Sequence, residues 1–228
     1  MRTIGILGGM SWHSTARYYR VIQEETAARR GGLASAPLLL DSLDFAQVRD
    51  LQVAGDWDRA GALLADGAAR LERAGADLLL IATNLMHKVA PDVEAALSIP
   101  LLHIADAVAG GLGGATRVGL LGTGWVMAEP FYADRLARHG ITTVVPDAAG
   151  REAIDAAIFG ELTRGVVTPA TRALLAAAAA ALVADGAQAI VLACTELELA
   201  VGPQDVAVPV VDSMRCHALA AVDAALAP

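Results

Sequence analysis

The stretch "AGADLLLIATN" at residues 74–84 aligns without a gap on "DGAQAIVLACT" at residues 185–195, so that Thr83 corresponds to Cys194 at an offset of 194 − 83 = 111. Two further pairs keep nearly the same spacing. "IGILGGM" (4–10) is similar to "VGLLGTG" (118–124), with Gly5 and Gly119 offset by 119 − 5 = 114, and "IPLLH" (99–103) is similar to "VPVVD" (208–212), offset by 208 − 99 = 109. Any two strands of an α/β protein share one such likeness. Three of them, in order and at a near-constant offset, point to an internal duplication.

Short runs rich in Val, Ile and Leu alternate with longer segments of helical periodicity, which predicts βα units around largely parallel sheets. Candidate strands are "TIGIL" (3–7), "APLLL" (36–40), "ADLLLIA" (76–82), "PLLHI" (100–104), "RVGLL" (117–121), "TTVVP" (142–146), "QAIVLA" (188–193) and "VPVVD" (208–212). Between them, one helix should run from near Asp56 to Gly75. A second should start with Thr168 as its cap and Pro169 in its first turn, and stop at Gly186. The 228 residues suit two α/β domains of about 100–120 residues each. The two would be pseudo-symmetric, with the active site in the cleft between them, where strand ends of such sheets bind ligands. That places Thr83 and Cys194 on opposite walls of one pocket.

Composition narrows the function. The net charge is -8 and Arg29–Arg30 is the one adjacent basic pair, so no basic face is offered to nucleic acid. The longest apolar run, "ALLAAAAAALVA" (173–184), falls short of the ~20 residues a membrane span needs. With no signal-peptide pattern at the start, a cytoplasmic location is expected. Cys194 and Cys216 make no disulfide framework, and no CxxC or HExxH spacing suggests a metal.

Cys194 stands at the end of an apolar strand before "TELE", where a following helix N-terminus would lower its pKa from about 8.5 and favour the thiolate. It can serve as base or nucleophile, or be a plain core cysteine. Cys216, among apolar helix neighbours, is given no role. Thr83-Asn84 and Cys194-Thr195 each place a polar pair after a strand, which suits either an anion nest for a carboxylate or simple helix capping. "ILGGMSWHST" fits neither GxGxxG nor GxxxxGK[ST], so nucleotide binding is not expected. Gly8 and Gly9 would instead let backbone approach a ligand, with the Met10 amide and Ser11 as donors. Glu196 could tune the thiol or start a helix, and His87 and His103 read as structural histidines.

Taken together, "IGILGGMSWHSTARYY", "ATNLMH", "HIADA", "VGLLGT" followed by "MAEPFYADRL", "CTELEL" and "VDSMRCHALAAV" resemble the cofactor-independent aspartate/glutamate racemases over nearly the whole chain. The resemblance implies two pseudo-symmetric α/β domains with a C-terminal tail that returns to the first, so that the expected division is 1–104 plus 208–228 for the first domain and 105–207 for the second, together with a homodimer and racemisation without pyridoxal phosphate. In that family one cysteine removes the α-proton of an amino acid or dicarboxylate substrate and a second, on the opposite face, returns one. The matching positions are Thr83 and Cys194, so this sequence is similar to a subgroup that keeps the second cysteine alone. Cys194 would be the main acid/base, Thr83 would stand in the place of the other thiol, and the reaction would be slow or direction-biased. Met10, Ser11, Asn84, Thr195 and Glu196 would bind the substrate. Where many relatives have a Lys for the side-chain carboxylate, this chain has Ala153, with Arg49 or Arg151 as substitutes. Two other readings remain: a single-thiol decarboxylase of a malonate-type acid, and a non-catalytic amino-acid-binding protein.

Overall fold

The computed structural model describes residues 1–227. In chain order the elements are β1 (Ile4–Gly8), α1 (Trp12–Arg30), β2 (Leu38–Ser42), α2 (Phe45–Ala54), α3 (Trp57–Arg73), β3 (Leu78–Ile81), α4 (Ala90–Ala95), β4 (Leu101–Leu102) and α5 (Ile104–Gly111). They continue with β5 (Arg117–Gly122), α6 (Gly124–Ala128), α7 (Pro130–Ala137), β6 (Thr142–Val144), α8 (Ala148–Gly160), α9 (Pro169–Ala184), β7 (Ala189–Ala193), β8 (Val210–Asp212) and α10 (Ser213–Leu226). Each of the eight apolar runs overlaps one of these strands, with β1, β2 and β5 extending one or two residues past the expected end. The two helices expected from capping signals also form: Asp56 accepts from Arg59 N before α3, and Thr168 accepts from Thr171 N before α9.

The strands make two parallel four-stranded sheets, ordered β2-β1-β3-β4 and β6-β5-β7-β8. Adding four to each strand of the first sheet yields the second. The register repeats as well: Gly5 lies opposite Leu79 and Leu79 opposite Leu101, while Gly119 lies opposite Ile190 and Ile190 opposite Val210. These pairs carry the offsets of 114, 111 and 109 found in the sequence. Thr83 and Cys194 therefore hold equivalent places, each four residues beyond a paired position of an inner strand.

Inner strands are buried along their length and read as unbroken apolar runs, whereas β2 and β6 at the edges are half-exposed. Both inner glycines make room for the neighbouring strand. A Cβ on Gly5 would stand 3.2 Å from Leu79 Cδ1, and one on Gly119 would stand 2.6 Å from Ile190 Cδ1.

The compact units are Met1–Ile104 with His217–Pro228, and Ala105–Cys216. The return to the first unit thus comes later than the expected residue 208. The reason is backbone pairing: β8 completes the second sheet through β7, so the chain changes units inside α10, between Cys216 and His217. Beyond that point α10 is tied to the first unit, with Arg2 N donating to Ala225 O at 2.8 Å. Among the described residues, no helix is long and apolar enough to cross a membrane.

Candidate active site

In the first unit, the polar residues gather where the neighbouring strands β1 and β3 end. The turn after β1 is tight. Gly9 adopts φ +89°, its amide donates to Thr15 Oγ1 at 2.9 Å, and that hydroxyl donates to Ser11 O at 2.9 Å. The Met10–Ser11 peptide is cis. Met10 is buried and Ser11, in extended conformation, leads into α1. Beside it, β3 runs out of the sheet as Ala82 N donates to Leu7 O at 2.9 Å and Thr83 N to Ile81 O at 2.8 Å. Asn84 is buried, and its side chain makes no capping bond to the single 3-10 turn Leu85–Val89 that follows. Met10, Ser11, Thr83 and Asn84 thus share one sheet edge, as parallel pairing of β1 with β3 requires.

The second unit repeats the pattern with different chemistry. Cys194 leaves β7 buried, and its thiol donates to Glu196 Oε2 at 3.2 Å. Thr195 Oγ1 donates to the same oxygen at 2.7 Å. At the end of the adjacent β5, Gly124 N donates to Asp155 Oδ1 of α8 at 2.6 Å. The expectation of a depressed thiol pKa is overturned. Burial pushes the Cys194 thiol well above its ordinary range, and the Glu196 carboxylate adds to the effect, with a lesser contribution from Asp155. No helix follows to oppose this. The segment after Cys194 forms only the 3-10 turn Leu197–Leu199, too short for a useful dipole, and Glu196 at its N-cap position makes no side-chain capping bond.

This arrangement has a direct test. Glu196→Gln removes the charge that opposes the thiolate, so the pH midpoint for alkylation of Cys194 by iodoacetamide should move down. The measurement belongs in a Cys216→Ser background, and an unmoved or raised midpoint would show that Glu196 does not govern the thiol.

Position 153 proves to be on the wrong side of its helix. Ala153 is exposed, whereas Asp155, two residues on, reaches the end of β5. Arg151 Nη1 donates to Pro146 O at 2.8 Å, and Arg49 Nη1 to Gln52 Oε1 at 3.3 Å. Asp155 had no signal in the sequence, because it becomes notable only when α8 turns that face to β5. Cys216 is a packing residue: its sulfur fills the space that the missing Cβ of Gly111 leaves, 2.7 Å from where that atom would stand.

Residues 7–221 match the Asp/Glu/Hydantoin racemase family. The chain belongs to this family. It is 25% identical to the broad specificity amino-acid racemase RacX of Bacillus subtilis, across 98% of each protein. Among solved structures it is similar to a candidate Asp/Glu racemase of Yersinia pestis, with 45% identity, a TM-score of 0.95 and 100% of both chains covered. An aspartate racemase homologue of Pyrococcus horikoshii is 32% identical, with a TM-score of 0.87 over 99% of both chains. The protein is accordingly an isomerase, an amino-acid racemase. Its two parallel four-stranded sheets are those of the two-domain racemase fold.

Proposed function

We propose that this racemase moves the α-proton of a free amino acid with Cys194 as its main acid/base and Thr83 in the place of a second thiol, without a cofactor. The observation that carries the reading is the repeated register, which makes Thr83 and Cys194 equivalent ends of inner strands in two copies of one sheet. At rest Cys194 is a thiol, ready to donate. To act as a base it passes its proton to Glu196, the acceptor it already bonds. A Thr hydroxyl is far less acidic than a thiol, so Thr83 donates or relays a proton but is a poor base. Backbone and side-chain donors at Met10, Ser11, Asn84 and Thr195 hold the substrate carboxylate in this reading.

The asymmetry has a thermodynamic limit. Enantiomers have equal free energy, so kcat/KM must be equal in the two directions, and unequal bases show up as unequal α-proton exchange with solvent. The test follows α-proton loss by proton NMR in deuterium oxide for each enantiomer of aspartate, glutamate and a panel of neutral amino acids. One enantiomer should exchange faster. Thr83→Cys should raise the slower exchange by roughly 10-fold or more, because a thiolate is accessible near neutral pH. Binding without exchange of any enantiomer would defeat the proposal.

A further inference from the structure

Outside the residues assigned so far, the first unit contains a buried group of four rings with no part in the proposed chemistry: Tyr18, His87, His103 and His217. Tyr18 and the three histidines are each no more than 5% exposed. Their hydrogen bonds dictate their tautomers. The Leu102 carbonyl, 2.8 Å from His217 Nε2, can only accept, so that nitrogen carries the proton, and Nδ1 then accepts from Tyr18 Oη at 2.9 Å. His87 is arranged the other way round. Its Nδ1–H donates to the Thr83 carbonyl at 2.8 Å, and its bare Nε2 accepts from Ile104 N at 3.2 Å. The ring is wedged against His103 at 4.5 Å and His217 at 5.6 Å between centroids. Burial, reinforced by these two neighbours, keeps it neutral.

The carbonyl that His87 holds belongs to the peptide between Thr83 and Asn84. It lies past Ile81, the last residue of β3 with a register partner, where the sheet no longer orients the chain. The second copy lacks this device. The position equivalent to His87 is 87 + 111 = 198, which is Glu198, and the Cys194 carbonyl there is met by Leu197 N at 3.2 Å.

We infer that His87 is a positioning residue for racemisation, its ring clamping the Thr83–Asn84 peptide so that the Thr83 hydroxyl and the Asn84 amide are presented in one orientation. The inference rests on the role proposed for Thr83. Placement of a reacting group tolerates little error, and a shift of about 1 Å can cost on the order of 10²-fold in rate.

Two isosteric variants separate the two bonds of the ring. In His87→Asn the amide nitrogen falls near Nδ1 and preserves the donor to Thr83. In His87→Gln the amide reaches the Nε2 position and preserves the acceptor for Ile104. Both remove the same ring packing, so both should lower the melting temperature to a similar degree. His87→Gln should lower kcat by roughly 10-fold or more with a smaller change in KM, slowing the Thr83-dependent exchange selectively, while His87→Asn retains most of kcat. Equal losses in the two variants, or none in either, would overturn the inference. Thr83→Ala keeps the two proposals distinguishable. If it leaves both exchange rates unchanged, the role of Thr83 fails; if it slows one exchange and His87→Gln does not, the positioning role fails. The unmodified protein supplies a check that needs no variant to fold: nitrogen-15 NMR should show His87 as the neutral Nδ1–H tautomer between about pH 5 and 8. The Nε2–H form would overturn the assignment.

Discussion

Cys194→Ala is expected to remove α-proton exchange almost entirely, lowering the faster enantiomer's rate by roughly 10²–10⁴-fold, the range by which a positioned general acid or base accelerates proton transfer. The effect should be large because the other candidate group is a hydroxyl, which cannot replace a thiolate as base. Folding should survive. The side chain is small, and its neighbours Leu192, Leu197 and Ala200 in the second unit's core keep their own burial. The comparison of interest is with Cys194→Ser, which preserves size and hydrogen bonding to Glu196 while removing the acidity. Loss in both variants with unchanged melting temperature assigns the rate to thiol chemistry. Retention of exchange in Cys194→Ser would mean that the sulfur is dispensable and that another group moves the proton.

Gly9→Ala should produce the largest loss of stability of any single methyl added at a strand end. A Cβ at this position would stand 2.1 Å from Leu43 O and 2.6 Å from Leu43 N, both backbone atoms, and the residue has φ +89°. The backbone conformation alone costs about 1–2 kcal/mol in an L-residue. Displacing Leu43 adds to that, because its amide donates to Gly8 O at 3.0 Å and holds the segment after β2 against the end of β1. A total near 3 kcal/mol would lower the melting temperature by about 6–12 °C in a chain of this size. Gly55→Ala is the control. It shares the positive φ, at +69°, but a Cβ there would meet nothing within 4 Å, so only the conformational cost applies. Equal melting temperatures for the two variants would show that Leu43 yields freely and that the β1 turn is softer than its contacts imply.

Both predictions draw on information of two kinds, one carried by local pattern along the chain and one by packing between distant segments. The eight strands were legible in the sequence because buried parallel strands need unbroken apolar runs, which is a local property. The duplication was legible for the same reason: the offsets of 114, 111 and 109 are differences in residue number, and parallel register converts them directly into the pairs Gly5–Leu79–Leu101 and Gly119–Ile190–Val210. From that step the equivalence of Thr83 and Cys194 followed, whereas the grouping of Met10 and Ser11 with Asn84 at adjacent strand ends came from the pairing of β1 with β3.

The reactivity of those residues was not legible. Cys194 reads as an activated thiol if a helix follows it, and as a suppressed one if a buried carboxylate lies beside it. Desolvation and the approach of Glu196 and Asp155 decide between the two, and both depend on packing across α8, β5 and β7. The same holds for Ala153, whose exposure is set by the face α8 turns outward, and for the boundary inside α10, set by the pairing of β8 with β7. The bond between Tyr18 and His217 spans 199 residues of chain and has no counterpart in any local pattern. The places of the strands along the chain and the pairing of Thr83 with Cys194 were therefore properties of the sequence, because each follows from apolar pattern within a few residues, whereas strand order and register came only with the folded sheets. Protonation state and side-chain orientation belong to the tertiary structure, because they arise from low dielectric and from contacts between segments distant along the chain.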